Sequence, residues 1–200
     1  MKLEDLRSQI DELDGTLLEI LKKRMALVRK ISKFGKSIVV GTTGWHDKLG
    51  EAREIVKNSK IGLIYASNFS VGVNVFFSII ENAAKMMNNL DDYDVFGYEL
   101  HHNKKLDSPS GTAKSIEKIL VSNIKRKKEV PFASVRAGSI PGTHVVGFDS
   151  SADTIELKHT ARNREGFAAG AIMAAEWING KKGFYDIGDM MDEIMRGKNV

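Results

Sequence analysis

The chain has 200 residues, of which 42% are hydrophobic and 28% are charged, and its formal net charge is +4. These values are ordinary for a globular protein of one domain, or of one domain with a small appendage. The absence of cysteine excludes disulfides, thiolate zinc sites and cysteine nucleophiles, and it fits the cytoplasmic location that we expect. We expect neither a signal peptide nor a membrane-spanning segment, and the mildly basic charge suits a small anionic ligand without indicating nucleic acid.

Residues 1–36 predict one long helix. Their apolar side chains recur at alternating steps of three and four from Leu3 to Ile31, which is the spacing of a heptad seam. Arg24 places a charge on that seam, where it would either reach solvent at the edge or set the register. Gly35 is typical of a residue that ends a helix.

Residues 37–70 contain the pattern of a βαβ unit. A short buried-type strand over residues 37–40 is followed by GTTG, by a helix over residues 49–58 and by a second strand over residues 61–65. Strand, helix and strand in this order imply parallel pairing with a right-handed crossover.

The remainder of the chain predicts further helices and strands. Helices are expected over residues 70–87, 109–124, 167–178 and 186–195, the first of them capped near Asn68 or Ser70. Strands are expected over residues 93–100, 132–137, 143–149 and 154–160. The predicted fold class is therefore α/β.

The stretch HHNKKLDSPSGTAKS at residues 101–115 combines a helix start with charged and titratable side chains. Ser108 is a good N-cap and Pro109 a good first helical residue, which would leave free amide groups at the positive end of the helix dipole. Such a terminus binds carboxylate or phosphate, and Lys104 or Lys105 can add a positive charge. The residues expected to offer free amides to the anion are Ser110, Gly111 and Thr112.

The histidines are expected to serve in proton transfer and not in metal binding. His101 and His102 are candidate proton donors because imidazole titrates near physiological pH. Neighbouring residues at a strand end point to opposite faces, so this pair is not expected to share a metal ion. His144 and His159 lie in strand patterns and are interpreted as ordinary strand residues. A serine nucleophile is not indicated, because the sequence contains no G-x-S-x-G motif.

The motif HHNKKLDSPSGTA closely resembles the signature of the dihydrodipicolinate (4-hydroxy-tetrahydrodipicolinate) reductases of lysine and diaminopimelate biosynthesis. Five further stretches resemble segments of that family in the same order, between about residue 38 and residue 195. They are GTTGW, ASNFSVGVN, SVRAGSIPGTHVVGF, ELKHTARNREGFAAGA and FYDIGDM. Taken together, these motifs are specific to the family.

The resemblance implies an oxidoreductase that transfers a hydride from NADPH or NADH to a cyclic imine dicarboxylate. In this interpretation His101 is the general acid, and Lys105 is a catalytic partner of the charge that develops on the substrate. The residues expected to bind the substrate are His102, Ser110, Gly111 and Thr112. The residues expected to bind the cofactor at its nicotinamide end are Gly41, Thr42, Thr43, Ala66, Asn68, Phe69 and Arg164. The resemblance implies no metal.

The resemblance also implies a division into domains. Residues 37–70 are expected to be a truncated, Rossmann-like remnant of the dinucleotide-binding domain, and residues 71–180 an α+β domain with a mixed sheet that binds substrate and forms a homo-oligomer, a tetramer. Residues 181–200 are expected to return to the nucleotide-binding side. The first strand of the family and its G-x-x-G-x-M-G phosphate turn have no counterpart in this sequence, so binding of NADPH or NADH is expected to be weak or lost.

Residues 1–36 resemble a different family, since they are similar to the first helix of an AroQ-type chorismate mutase. Arg7 and Arg24 match two substrate-binding arginines of that family, and Lys36 lies one place after the position of its lysine. The sequence thus leaves two alternatives to a reductase. One is a non-catalytic protein that binds dicarboxylates or serves in assembly, and the other is a module derived from a chorismate mutase.

Overall fold

The computed structural model describes residues 35–197 and three isolated residues before them, Glu19, Lys23 and Leu27. These three residues are helical. The rest of the helix predicted for the N-terminal segment, with Arg7 and Arg24, lies outside the described residues. Gly35 has a φ of +66°, the left-handed conformation typical of a residue that ends a helix.

The described part of the chain divides into two compact units. The first runs up to Ala66 and includes Ala174–Asp186, and the second comprises Ser67–Met173 and continues from Ile187. In chain order the elements are β1 (Ile38–Val40), α1 (Leu49–Lys57), β2 (Gly62–Tyr65), α2 (Val71–Met87), β3 (Asp94–His101), α3 (Gly111–Asn123), β4 (Phe132–Arg136), β5 (Thr143–Asp149), β6 (Thr154–Thr160), α4 (Glu165–Trp177), β7 (Gly183–Asp186) and α5 (Ile187–Met195). None of the described helices combines the length and the hydropathy that crossing a lipid bilayer requires.

The first unit contains a three-stranded parallel sheet with β2 between β1 and β7. The parallel pairing of β1 with β2, joined through α1, confirms the predicted βαβ unit. The core of this unit combines residues of the strands, the following loop and the helix: Val40, Trp45, Ala52, Val56 and Leu63.

Strand β7 is absent from the elements predicted from the sequence. It has four residues, begins at Gly183, and pairs with β2, which lies far earlier in the chain. A strand this short carries little periodic pattern, and its partner is remote in sequence, so periodicity does not reveal it.

The second unit contains a four-stranded mixed sheet in the order β4-β3-β5-β6. β3 pairs in parallel with β4 and antiparallel with β5, and β5 pairs antiparallel with β6. Helices α2 and α3 share a hydrophobic core with one face of the sheet, which includes Phe76, Ile80, Ile116, Leu120 and Phe148. The mixed sheet with its helices confirms the predicted α/β class.

The face of the sheet that the helices cover changes from apolar to polar along β3. The register opposes Val95 to Phe148 at the apolar end and Glu99 to His144 at the polar end. Because side chains alternate along a strand, His101 lies on the same face as Glu99. The hydrophobic core of this unit therefore ends in a buried polar cluster.

Helix α3 begins at Gly111, later than the predicted start at Pro109, and its N-cap is Ser110 instead of Ser108. The Ser110 backbone is extended, with φ −65° and ψ 161°, and its hydroxyl accepts a hydrogen bond from the N–H of Ala113. The N–H of Ser110 donates to the carboxylate of Glu99 at 2.9 Å. This long-range hydrogen bond holds Ser110 just outside the helix, and the predicted cap was wrong because local sequence does not show it.

Candidate functional site

Glu99 is the fully buried centre of the polar cluster in the second unit. Its Oε1 atom accepts hydrogen bonds from the Ser110 amide at 2.9 Å, the Ser134 hydroxyl at 2.8 Å and the Arg136 guanidinium at 2.8 Å. Burial alone would raise the pKa of Glu99, but the hydrogen bonds that it accepts outweigh burial and lower this pKa to about 2. Glu99 is therefore ionised at neutral pH, and Arg136 balances its charge.

Two imidazole rings flank the second oxygen of Glu99. The Oε2 atom lies 3.4 Å from Nδ1 of His101 and 3.4 Å from Nε2 of His144. The two rings meet edge to face with their centroids 5.1 Å apart. Desolvation lowers the pKa of His144 to about 4, and the nearby His101 adds to this shift. Desolvation also lowers the pKa of His101, although the negative charge of Glu99 opposes that change.

The first turn of α3 borders an open space. Gly111 is exposed, and a Cβ added to it would meet no atom within 4 Å. Thr112 is half-buried. Ser110 differs from the prediction, because its amide is bonded to Glu99 and its hydroxyl lies 3.2 Å from Nε2 of His144. Ser110 thus belongs to the buried cluster, and of the three residues predicted to hold an anion, Gly111 and Thr112 are the accessible ones.

Lys105 and Asp107 form an ion pair in the loop that precedes α3. The Nζ atom of Lys105 lies 2.7 Å from Oδ1 of Asp107. The hydrogen bond from Lys105 lowers the pKa of Asp107, and a hydrogen bond with the backbone of Gly111 makes a smaller contribution in the same direction. The carboxylate of Asp107 therefore lies at the positively charged start of α3, where an external anion could bind.

Backbone hydrogen bonds anchor the loop between β3 and α3. The N–H of Ala137 donates to the carbonyl of His101 at 2.9 Å, and the N–H of Lys105 donates to the carbonyl of His102 at 3.1 Å. His102 is half-buried in this loop. The structure thus brings the predicted catalytic and substrate-binding residues together at the polar end of β3.

The residues predicted to bind the nicotinamide divide between the two units, and four of them lie in the first. Residues 41–43 form an exposed loop after β1, and the carbonyl of Thr42 accepts a 2.7 Å hydrogen bond from Nε1 of Trp45. The N–H of Ala66 donates to the carbonyl of Val40 at 3.0 Å. Ala66 therefore lies beside the start of that loop.

The other three residues lie in the second unit, where Asn68 and Phe69 precede α2 and Arg164 precedes α4. The Oδ1 atom of Asn68 accepts a 2.8 Å hydrogen bond from the N–H of Ser70, which orders the turn before α2. The carbonyl of Phe69 lies so close to Gly170 that a Cβ there would come within 1.7 Å of its oxygen. Gly170 is therefore required for α4 to pack against this turn.

Sequence reasoning missed four residues of the cluster: Glu99, Ser134, Arg136 and His144. One signal could have revealed Glu99, because it precedes His101 by two positions in a strand and so shares its face. The other three come from β4 and β5, and strand register cannot be read from one sequence. His144 is therefore more than the ordinary strand residue that its pattern indicated.

Glu99, His101 and His144 also offer one ligand atom each within 4.8 Å of one another, as a metal site would. The prediction of no metal considered the neighbours His101 and His102, whereas the structure places His101 beside His144. The carboxylate of Glu99 already has a cationic partner, because the guanidinium of Arg136 donates a hydrogen bond to it. The absence of a metal stays a prediction.

Comparisons with known proteins agree on one family. The model of the dihydrodipicolinate reductase C-terminus matches residues 72–191 of this chain. Over 169 residues the chain is 46% identical to the 4-hydroxy-tetrahydrodipicolinate reductase of Christiangramia forsetii, covering 80% of this chain and 71% of that protein. It is 38% identical to the reductase of the same name from Buchnera aphidicola subsp. Schizaphis graminum, covering 80% of this chain and 65% of that protein. The chain therefore spans about two thirds of the length of these relatives.

A solved structure has a similar fold. The dipicolinate-bound dihydrodipicolinate reductase from Paenisporosarcina sp. TG-14 matches with a TM-score of 0.69 at 23% identity, covering 82% of this chain and 69% of that one. At this identity the match shows the fold. The comparisons confirm the resemblance over the C-terminal part of the chain, and they do not support the resemblance of residues 1–36 to a chorismate mutase.

Proposed function

Because this chain belongs to the dihydrodipicolinate reductase family, we propose that it binds a cyclic imine dicarboxylate and supplies a proton for its reduction by NADPH or NADH. This reaction belongs to lysine and diaminopimelate biosynthesis. One observation supports the proposal above the others: His101, Lys105 and the first turn of α3 lie together at the polar end of β3. The lack of cysteine favours the reducing cytoplasm as the place of this activity.

A carboxylate of the substrate binds at the first turn of α3. Gly111 allows a ligand to approach the backbone, and Thr112 adds a hydroxyl group beside it. The positive end of the helix dipole favours an anion at this point. The substrate then replaces Asp107 as the partner of Lys105, and His102 contacts it from the same loop.

His101 provides the proton. Reduction of an imine system adds one hydride and one proton, and a bound nicotinamide supplies the hydride. His101 is buried, with Nδ1 towards Glu99 and Nε2 on the side of Gly142. Desolvation lowers the pKa of His101, which makes its protonated form a stronger acid. Lys105 offsets the negative charge that develops on the substrate.

Each of the two units contains residues that are predicted to bind the nicotinamide end of a dinucleotide. The exposed loop over residues 41–43 is open to a ligand, and Asn68 holds an ordered turn in front of α2. The loop after β1 reads GTTGW and leads into α1 without a glycine-rich phosphate turn. We therefore propose that NADPH and NADH bind weakly to this chain.

A reductase assay with freshly prepared substrate tests the proposed function. We expect turnover that His101→Ala lowers by on the order of 100-fold, because general acid catalysis contributes at that scale. Calorimetry with pyridine-2,6-dicarboxylate should show binding that Lys105→Ala weakens and that Lys114→Ala, an exposed control on α3, leaves unchanged. Dicarboxylate binding without turnover would favour the non-catalytic alternative. The absence of both binding and turnover would refute the proposal.

The second unit also supports the proposed homo-oligomer. The face of its sheet that is turned away from α2 and α3 carries Val135, whose exposed fraction is 44%, beside the paired Leu100. An apolar side chain at this place suits a face on which two sheets pack. We propose a tetramer formed through this sheet. Light scattering should show that Val135→Lys yields smaller species, whereas Met86→Lys, an exposed control on α2, does not; a monomeric native chain would refute the tetramer.

A further inference from the structure

We infer that Glu99 is a positioning residue: its single buried carboxylate orients both His101, the proposed proton donor, and the start of α3, the proposed anion-binding helix. Its Oε2 atom faces the ring of His101, and its Oε1 atom binds the N-cap of α3. The inference rests on the proposed function for its catalytic meaning, whereas the alignment itself is a property of the folded chain. It concerns a residue that contacts neither substrate nor cofactor in the proposal above.

Two buried atoms of the cluster, one on Glu99 and one on His101, lack hydrogen bonds. Among the described residues, Oε2 of Glu99 and Nδ1 of His101 are both buried and have no hydrogen-bonded partner. They lie 3.4 Å from each other. Buried polar atoms are nearly always paired, so a proton on Nδ1 that points to Oε2 accounts for both. The hydrogen bond at one ring nitrogen determines the state of the other, and Nε2 of His101 is left to exchange protons with a ligand.

The other oxygen of Glu99, Oε1, holds the residue that caps α3. Oε1 accepts the Ser110 amide and thereby fixes the residue from which α3 starts. Arg136 and Ser134 hold the same oxygen, so the carboxylate cannot rotate without breaking these bonds. Since both oxygens belong to one planar group, the orientation of His101 is coupled to the position of the helix terminus.

Charged groups from several elements surround His101. Glu99 and Arg136 face it from β3 and β4, and the Lys105–Asp107 pair lies in the loop beyond it. His144 faces it from β5 as a neutral ring at pH 7, because burial lowers its pKa to about 4. Glu99 is the buried anion of this group, and its charge favours the protonated form of His101.

A metal ion is the competing use of the same atoms, since Glu99, His101 and His144 could each donate one ligand. Oε1 already accepts three hydrogen bonds, one of them from the Arg136 cation. A divalent ion beside that guanidinium would meet repulsion, and it would have to displace the proton on Nδ1. The local charges therefore favour the positioning role.

Nitrogen-15 NMR of the His101 ring tests the inference without requiring turnover. In the wild type we expect the neutral ring to carry its proton on Nδ1. Glu99→Gln removes the charge and can donate to Nδ1, so we expect the proton to shift to Nε2 and the pKa of His101 to fall. Glu156→Gln, an exposed carboxylate on β6 of the same unit, is the matched control and should change neither.

Two further measurements complete the test. Glu99→Gln should lower kcat on the order of 10-fold and weaken pyridine-2,6-dicarboxylate binding together, because both sites lose alignment. If Glu99→Gln does not fold, Ser134→Ala removes one bond to Oε1 and should shift the His101 resonances in the same direction. Unchanged His101 tautomer and pKa in a folded Glu99→Gln protein would overturn the inference, as would stoichiometric zinc binding lost in that variant. If the wild type shows no turnover, but the Nδ1 proton of His101 is present in the wild type and lost in Glu99→Gln, the proposed function is refuted and the positioning role of Glu99 stands.

Discussion

Gly142 faces the ring of His101: a Cβ placed on Gly142 would lie 3.1 Å from Nε2 and 3.3 Å from Cδ2 of the imidazole. Gly142 has a φ of +148°, a conformation that L side chains rarely adopt. Gly142, the residue before β5, thus places no side chain of its own against Nε2 of His101.

Replacing this glycine should impair proton transfer. In Gly142→Ala the added methyl group crowds Nε2 of His101, and we expect kcat to fall roughly 10- to 100-fold through misplacement of the ring. Gly138→Ala is the matched control, because Gly138 also has a positive φ, +50°, but a Cβ there meets no atom within 4 Å. Both variants carry backbone strain and should lose thermal stability. Equal kcat values for the two variants would contradict the role assigned to Gly142.

In the proposed function, Asp107 competes with the substrate, because it is hydrogen-bonded to Lys105 and to the backbone at the first turn of α3. We expect Asp107→Asn to strengthen pyridine-2,6-dicarboxylate binding about 2- to 5-fold, the value of a solvent-exposed ion pair. Calorimetry at low ionic strength measures this change, and added salt should reduce it. The exposed Asp91→Asn is a control with the same change of charge. Weaker binding in Asp107→Asn would instead mean that Asp107 orders the loop for the ligand.

His144 should make stability depend on pH. Burial lowers its pKa from 6.5 to about 4, so the unfolded chain binds more protons than the folded chain between these values. The free energy of unfolding should therefore fall as the pH falls from about 6.5 to 4, with a contribution from this group on the order of 3 kcal/mol. Below that range protonation of Glu99, whose pKa is about 2, removes further stability.

Urea unfolding at a series of pH values checks this contribution. His144→Asn removes the titrating ring, so the decline between pH 6.5 and 4 should be shallower than in the wild type even if the variant is less stable at pH 7. Parallel curves for the two proteins would show that other groups carry the dependence.

Cofactor affinity should be low. The family's phosphate turn has no counterpart in this sequence, and such turns supply the backbone amides that hold the pyrophosphate of a dinucleotide. Titration with NADH, followed by nicotinamide fluorescence, should not saturate at micromolar concentrations. Micromolar affinity would disprove this prediction.

Local pattern was sufficient for most of the fold. Helix α2 was predicted with its cap because Ser70 and the apolar spacing of residues such as Phe76 and Ile80 are local signals. The pairing of β1 with β2 followed from chain order alone. β7 was missed because its pairing with β2 is non-local.

The candidate site shows the same limit at the scale of single residues. The motif at residues 101–115 predicted an anion site because capping residues, lysines and histidines are adjacent in sequence. The cap predicted at Ser108 was wrong, because the observed cap is Ser110. Its N–H donates a hydrogen bond to Glu99, which lies outside the motif. Arg136 and His144 reach the cluster from other strands, so a single sequence cannot place them.

The late position of β7 has a consequence for how the chain folds during synthesis. When a ribosome has completed β6, the central strand β2 of the first sheet still has β1 as its one partner among the described strands. Its second partner arrives with Gly183–Asp186, and α5, which packs on α2 in the other unit, follows directly. Residues 183–195 thus add one element to each unit, β7 to the first and α5 to the second. The edge of β2 that β7 will cover therefore stays unpaired until residues 183–186 have been synthesised, and in that interval it is available to pair with a strand of another chain.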